Sequence, residues 1–599
     1  LRASTNWSLQ PRCGFQSRDG LKGGPGGKVF RIPVMAVLTI LALPFRILVT
    51  LWATLVRRKH TVVVWELGGG KKAIEPKVFD RMLQTLSTLS EDRRVGGLRI
   101  ELRPLAIGLS QAYILKDAIG RVRDSGKFVE VHLDGMTDKS MLVSSLASRI
   151  SMCPASEVFL CGVATPMRFY GDALGRFGVT VDFESAGAYK SFGEVYTRGL
   201  PTVANREAMD HVLGGLQDQW LDAVSKGRNI PIDQLKSMLE QSPISAERAK
   251  DVGLIDAVAY SDEDWDTWEQ FFGKEPIEAT FKGYGRLMRI RSRLPALRRK
   301  KQRIAVVHLE GPVVERRSQM MRGGRMIASD DVVPVLENMA ENKAVKGVVL
   351  AVNSPGGSAL ASDLIARSVQ GLVDKKPVVA VFGNVAASGG YYISALANEI
   401  WTHPATITGS IGVVGGKVVL GDALSRFGIQ TTWMGPAPDP GLMTAEAKFT
   451  DGQRLRFRAS LKRVYDRFIG IVSKGRNLEP DAVESVAQGR VWTGVQAVQN
   501  GLADRIGTLD DAVSRVAEMV GISHGRYKTV PIRFEPPKFG AISQAVAGQT
   551  HVGLDAVDAL LREESLLVQS VYFAPVEPLA LMPSSLDLDV SSAWTGGSP

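Results

Sequence analysis

Ser388 stands in the run Gly383-Asn384-Val385-Ala386-Ala387-Ser388-Gly389-Gly390-Tyr391-Tyr392. The apolar, β-branched stretch from Pro377 to Phe382 predicts a buried strand, and Ile393-Ser394-Ala395-Leu396-Ala397 predicts a helix. A serine on the turn between them is placed for acyl transfer. A helix N-terminus offers unpaired N–H groups and a positive dipole end to developing negative charge. The paired glycines let a substrate backbone come close. The competing expectation is an N-cap serine with no chemistry.

A serine hydroxyl attacks a carbonyl only when something takes its proton. The histidines are His60, His132, His211, His308, His403, His524 and His551, and none has a recognisable triad context. His403 follows the strand-like Glu399-Ile400-Trp401 and reads as a structural strand-end residue. The cysteines Cys13, Cys153 and Cys161 show no zinc spacing and are too few for a disulfide framework. The run Gly23-Gly24-Pro25-Gly26-Gly27-Lys28 lacks the Ser/Thr of a phosphate loop. No metal and no cofactor is expected.

The base is found through a repeat. Gly171-Asp172-Ala173-Leu174-Gly175-Arg176-Phe177-Gly178 recurs as Gly421-Asp422-Ala423-Leu424-Ser425-Arg426-Phe427-Gly428, offset by 250 with seven of eight residues kept. Ser225-Lys226-Gly227-Arg228-Asn229 recurs as Ser473-Lys474-Gly475-Arg476-Asn477, offset by 248. A near-constant offset marks a duplication, with copies at 60–258 and 303–520. The copies differ where chemistry would lie. Ser388 faces Asp138, and Asn353-Ser354-Pro355-Gly356-Gly357-Ser358 faces Arg103-Pro104-Leu105-Ala106-Ile107-Gly108. Conversely, Ala186-Gly187-Ala188-Tyr189-Lys190-Ser191 faces Pro436-Ala437-Pro438-Asp439-Pro440-Gly441, which has no lysine. Each half keeps what the other lacks. Lys190 can act as a base only if burial lowers its pKa and no carboxylate pairs with it. Tyr189 and Phe192 are candidates to exclude water, and Glu194 is the candidate to spoil the arrangement.

The elements that must position these residues alternate. Ile304-Ala305-Val306-Val307 and Val345 to Val352 are strand-like, and Leu360, Leu364, Ile365, Val369, Leu372 and Val373 keep a helical spacing between Ala359 and Val373. Strand, helix, strand, helix implies an α/β fold with mostly parallel strands.

These motifs, with Thr408-Gly409-Ser410-Ile411-Gly412, resemble the long, tandem-repeat form of the signal peptide peptidase A (protease IV) family. That family groups with Ser-Lys peptidases of the ClpP/crotonase-like fold, and the resemblance covers about residues 33–520. It implies two tandem ClpP/crotonase-like α/β domains behind an N-terminal membrane anchor. It makes Ser388 the nucleophile, Lys190 the general base, the Gly356-Gly357 loop an oxyanion hole, and Ser410 a hydroxyl that orients the lysine. It also implies peptide substrates such as cleaved signal peptides, a homotetramer, and catalytic domains on the extracytoplasmic side of the bacterial cytoplasmic membrane. Two rivals share the fold: a catalytically silent membrane scaffold, and a crotonase-type acyl-CoA enzyme. The second needs carboxylates beside the glycine loop and an adenine-phosphate pocket, and neither is evident.

With 599 residues, 45% hydrophobic and 23% charged, the chain has the composition of an ordinary multidomain folded protein. Residues 1–31 read as a flexible segment. Residues 32–56 are apolar enough to span a bilayer, with Arg46 inside and basic residues on both sides. Residues 259–302 read as a linker, and 521–599 as a partly disordered extension. The net charge of +11 is concentrated between Arg286 and Arg303, which holds nine Lys/Arg and no acid. That run suits a solvated linker or lipid headgroups. Nucleic acid is not expected, since no aromatic platform or DNA-binding motif accompanies the run.

Overall fold

A computed structural model of the chain describes residues 59–293, 302–316, 325–534 and 579–581, apart from 71–72 and 524–525. The expected leader 1–31 and apolar anchor 32–56 lie outside the described residues, as does most of the expected C-terminal extension. Among the described residues no helix is long and apolar enough to cross a membrane.

Each half is built on a parallel sheet. The first runs Ile277–Thr280, Thr61–Leu67, Gly97–Leu102, Phe128–Leu133, Arg149–Met152, Ala257–Val258 in spatial order. Every pairing along it is parallel. Its central strands alternate: Leu98, Ile100, Val129 and Val131 are apolar, while Arg99, Glu130 and His132 between them are buried polar residues. The second half repeats the plan as Tyr527–Arg533, Gln302–Glu310, Val345–Ser354, Val378–Ala387, Glu399–Thr402, Arg505–Ile506, all paired parallel. Val378–Ala387 also pairs with Ile407–Gly409, which is antiparallel to Val491–Thr493. Between the Val345–Ser354 and Val378–Ala387 strands runs the helix Ala359–Val373, with the span its apolar spacing predicts. The Ser358 hydroxyl caps it, accepting from Ala361 N–H at 3.2 Å.

Both sheets end on a strand that the apolar pattern did not single out. Ile277–Thr280 pairs with Thr61–Val64, and Tyr527–Arg533 pairs with Gln302–His308. The two strands begin 250 residues apart, so the duplicated plan reaches into the stretches read as linker and extension. Each forms the outer edge of its sheet. The helix Asp264–Phe272 docks on the first sheet through a buried polar cluster. Arg99 lies 3.3 Å from Glu130, Trp268 donates to Glu130, and Arg149 pairs with Glu130 and Asp264.

A third sheet crosses between the halves. Its order is Ile327–Ala328, Val313–Val314, Gly356–Ser358, Leu579–Leu581, Val413–Val419, Thr180–Ala186. Thr180–Ala186 from the first half pairs antiparallel with Val413–Val419 from the second, Ala186 opposite Val413 and Thr180 opposite Val419. By the 250 offset, the mirror pairing would join 163–169 to 430–436. Neither stretch forms a strand. The crossover therefore occurs once, and it is what joins the two separated sequence signals.

Candidate active site

The crossover fixes the chemistry by proximity. Lys190 follows Ala186 by four residues, and Ser410 precedes Val413 by three, so their paired strands deliver both side chains to one spot. Ser388 arrives at the end of Val378–Ala387, whose last residue pairs with Gly409. The Ser388 N–H donates to Gly409 O at 2.8 Å. Lys190, Ser388 and Ser410 are all buried.

Lys190 Nζ lies 2.7 Å from Ser388 Oγ, 2.9 Å from Ser410 O and 3.0 Å from Ser410 Oγ. A neutral amine has two N–H donors and one lone pair. The Ser410 carbonyl can only accept. With the two N–H groups directed at Ser410 O and Oγ, the lone pair faces the Ser388 hydroxyl. Burial holds the Lys190 pKa well below the ordinary lysine value, because an ammonium loses its hydration there. Among the described residues Lys190 has no carboxylate partner.

Glu194, the expected spoiler, is engaged elsewhere. Its carboxylate accepts from Thr202 N–H at 3.0 Å, Thr202 Oγ1 at 2.7 Å and Asn205 Nδ2 at 3.0 Å. It ties down the start of the helix Val203–Arg228, whose N-cap is Thr202. Phe192 packs with Val181, Tyr196 and Val414 beside the lysine strand. Tyr189 is only partly buried, and the Arg490 guanidinium lies 4.8 Å from its ring.

Ser388 is not a capping serine. Its side chain makes no cap bond to the helix that follows. Its φ of 53° and ψ of −116° lie outside the regions a non-glycine residue favours, at a cost of about 1–3 kcal/mol. The helix is shorter than the sequence suggested and displaced toward the serine: Gly389–Tyr392 is helical, while Ile393–Ala397 turns back. The chain must return at once to enter the strand Glu399–Thr402, and Asn398 N–H already bonds Val378 O. Gly389 therefore takes the first helical position, where the amide has no intrahelical acceptor. The turn is held from outside by Tyr391 OH on Leu502 O at 2.8 Å and Tyr392 OH on Asp363 at 2.8 Å. Asn384 is gripped from the first half by Gln111.

The glycine loop lies directly against this turn. A Cβ on Gly389 would stand 3.1 Å from Gly357 N and 3.2 Å from Gly356 Cα. Gly356 and Gly357 have φ of 106° and 154°, and a Cβ on Gly357 would meet Val313 O at 2.0 Å. The Gly356 N–H donates to Ser354 Oγ at 3.2 Å, so Gly357 and Gly389 carry the amides best placed for a new anion. Gly389 was read from sequence only as room for substrate.

The loop Gln488-Gly489-Arg490 carries no obvious sequence signal, yet it braces both sides of the site. Gln488 O accepts from Tyr189 N–H at 2.8 Å, and Arg490 O accepts from Ser410 N–H at 2.7 Å. Gly489 sits so close that a Cβ there would meet Lys190 Cβ at 2.6 Å. Arg490 reaches Glu207 at 3.1 Å, and its guanidinium lies near the Trp492 ring as well as that of Tyr189. The only available signal was Gly489 itself, a loop glycine with φ of 81°.

Among the described residues the first half has no second site of this kind. Asp138, facing Ser388 in the repeat, turns its carboxylate to the N–H groups of Cys161 and Gly162. Burial raises its pKa. His132, Ser151 and Asp264 do cluster, but His132 Nδ1 meets both partners, and Ser151 Oγ donates to Asp264. That is a shared-carboxylate network, not a relay to a serine. His403 is buried, its pKa pushed down to about 4 by desolvation, and it stands at a strand end as expected. Among the described residues there is no metal-ligand cluster.

The profile of Peptidase family S49 matches residues 121–271 and 371–523, one segment in each half. Protease 4 of Salmonella typhi is 30% identical over 502 residues, covering 81% of this chain and 79% of that protein. The chloroplastic serine protease SPPA of Arabidopsis thaliana is 26% identical over 482 residues, covering 80% and 71%. Among solved structures, a ClpP1 mutant from Listeria monocytogenes aligns with 15% identity and a TM-score of 0.23, over 35% of this chain and 94% of that one. Both halves are matched, and relatives align across the crossover that joins them: the chain belongs to peptidase family S49.

Proposed function

We propose that the chain is a serine endopeptidase working through a Ser388–Lys190 dyad. The observation that carries this is the 2.7 Å approach of a buried lysine without a carboxylate partner to a serine on a strained turn. Ser388 Oγ attacks the peptide carbonyl carbon while Lys190 takes its proton. The C–O bond forms, and the carbonyl π electrons move onto oxygen. The glycine loop, chiefly Gly357, and the Gly389 amide donate to that oxyanion, with Gly356 shaping the loop. Lys190, now an ammonium, returns the proton to the leaving amine as the C–N bond breaks. It then takes a proton from the water that attacks the acyl carbon and gives it to Ser388 Oγ as the acyl C–Oγ bond breaks, which frees the acid and restores the serine. Ser410 holds the amine through two oxygens, so the lone pair stays aimed at Ser388.

The substrates of this reading are extended, apolar peptides, with cleaved signal peptides the class that the family resemblance suggests. The apolar stretch 32–56 would anchor the chain in the bacterial cytoplasmic membrane beside them, with catalytic domains outside the cytoplasm and four copies assembled together.

The test is hydrolysis of an apolar fluorogenic peptide and of casein by wild type, Ser388→Ala and Lys190→Ala. Loss in both variants is expected, with a fluorophosphonate labelling Ser388 only where Lys190 is intact. Hydrolysis surviving both substitutions would return the chain to the silent-scaffold reading or to a different site.

A further inference from the structure

The base and the serine that orients it stand outside helix and strand, on loops from opposite halves. Lys190 leaves the strand Thr180–Ala186 through Gly187, at φ 116°. Ser410, Gln488 and Gly489 have φ of 50°, 56° and 81°. Serine and glutamine keep a left-handed backbone only where their surroundings fix it. Contacts from outside these loops must therefore hold the lysine and Ser410 in register.

Arg490 supplies them. Its carbonyl accepts from Ser410 N–H at 2.7 Å, and both Ser410 oxygens in turn hold Lys190 Nζ. Its guanidinium lies 4.8 Å from the centre of the Tyr189 ring and 5.2 Å from that of Trp492. Nη2 meets Glu207 Oε1 at 3.1 Å, and Tyr189 OH donates to the same oxygen at 3.3 Å. The three side chains close a circuit, Tyr189 to Arg490 to Glu207 and back. Tyr189 is the residue before the base. The buried Arg490 Nε has no hydrogen-bond partner among the described residues, so stacking and the ion pair fix the guanidinium plane.

The circuit is tied to regular structure in both halves. Glu207 belongs to the first-half helix Val203–Arg228, which docks on the second-half strand Val491–Thr493. There the His211 ring meets Trp492 edge-on at 5.4 Å, and Gln219 Nε2 donates to Thr493 Oγ1 at 3.0 Å.

We propose that Arg490 and Glu207 form a clasp between the halves that positions Lys190 for proton transfer. They are positioning residues, since neither touches Ser388. The proposal deepens the endopeptidase reading and rests on it for Lys190 as the base. With the clasp open, Tyr189 loses its cation and its acceptor, the lysine amine drifts from Ser388, and water reaches it. Misalignment lowers kcat, and hydration favours the ammonium, so the base works only at higher pH. The clasp makes no contact with the oxyanion loop, so KM is spared.

The experiment keeps the full chain and follows kcat and KM against pH on an uncharged apolar fluorogenic peptide. Arg490→Ala and Glu207→Ala should each lower kcat roughly ten- to hundredfold, with KM little changed. Both should move the limb of kcat/KM to higher pH. Charge acting through space predicts otherwise: losing a cation would raise the lysine pKa, but losing an acid would lower it. Glu207→Ala therefore separates the two, and being half-exposed on a helix it decides alone if Arg490→Ala does not fold. The double variant should be no worse than the weaker single, because the two residues act as one unit. Arg490→Lys, which keeps the charge and loses the planar stack, should recover activity only in part. A limb that moves down or stays in Glu207→Ala, a loss confined to KM, losses that multiply in the double variant, or full activity in Arg490→Lys overturns the proposal. Fluorophosphonate labelling of Ser388 needs no peptide hydrolysis. The same upward shift in labelling with no peptide cleaved by any form would overturn the endopeptidase reading and leave the clasp standing.

Discussion

Glu194 is four residues from Lys190, yet its carboxylate accepts from Thr202 Oγ1 at 2.7 Å and is held in the cap of the helix Val203–Arg228. That pairing keeps the nearest acid in sequence away from the lysine. Were the carboxylate to meet Lys190, it would favour the ammonium and remove the base. Thr202→Ala should cost about 1 kcal/mol of stability, the usual cost of losing an N-cap. Glu194→Ala should cost about 1–3 kcal/mol, because Thr202 and Asn205 lose their acceptor. Neither change should move the pH limb of kcat/KM, as measured with an uncharged fluorogenic peptide. A limb shifted by Glu194→Ala would mean that the carboxylate senses Lys190 after all.

The pH dependence follows from burial of Lys190. Its folded pKa lies below the ordinary value of 10.5, so between the two values the unfolded chain binds the extra proton and the folded chain does not. Stability from this group is therefore present above 10.5 and lost as pH falls through the folded value. Lys190→Met removes that dependence. Thermal melts of the variant and wild type should diverge in the variant's favour as pH falls from 10.5, and the gap should stop growing below the folded pKa. Activity runs the same way with protonation: kcat/KM should rise with pH along a single limb well below 10.5. Lys190→Arg should not restore activity, since a guanidinium stays charged.

Ser410 gives two acceptors to one amine. Ser410→Ala removes the hydroxyl and leaves the carbonyl contact at 2.9 Å. One lost hydrogen bond of about 1 kcal/mol predicts roughly a five- to tenfold fall in kcat, with KM little changed. Lys190→Ala, by contrast, removes the base and should lower kcat by roughly 10²–10⁴-fold. Steady-state kinetics on one peptide separates the two cases. Equal losses would place Ser410 in the proton path itself.

How much of this was legible follows the range of the interactions. The Ser388 turn and the Ala359–Val373 helix are local, and apolar spacing exposes them. Lys190 is 198 residues from Ser388, and only the duplicated plan singled it out, because the halves lost opposite parts. The pairing of Thr180–Ala186 with Val413–Val419 left no mark, since neither strand's composition names a partner in the other half. Tyr527–Arg533 was passed over for a similar reason. It is an edge strand, so solvent permits Lys528 and Thr529 where a central strand would demand apolar residues. Ile393–Ala397 looked helical because spacing alone cannot show that the chain must double back into Glu399–Thr402.

Gly489 tests whether the site is set by its support as much as by its chemistry. It touches neither substrate nor Ser388 in the proposed mechanism. Its φ of 81° already disfavours any side chain, and a Cβ would fall 2.6 Å from both Lys190 Cβ and Lys190 N. Backbone and lysine must therefore separate in Gly489→Ala. A displacement of about 1 Å at the base is enough to lower kcat on the order of 10²-fold through lost alignment. Gly357→Ala is the matching change on the opposite wall, where a Cβ would meet Val313 O at 2.0 Å. It should lower kcat by roughly 10²–10³-fold by moving an oxyanion donor. The two can be told apart with a fluorophosphonate. Gly489→Ala should slow labelling of Ser388 at low pH more than at high pH, because a misplaced lysine loses part of its burial and its pKa rises. Gly357→Ala should slow labelling equally across the range. Identical pH profiles for both would show that Gly489 acts on the fold at large and not on the lysine.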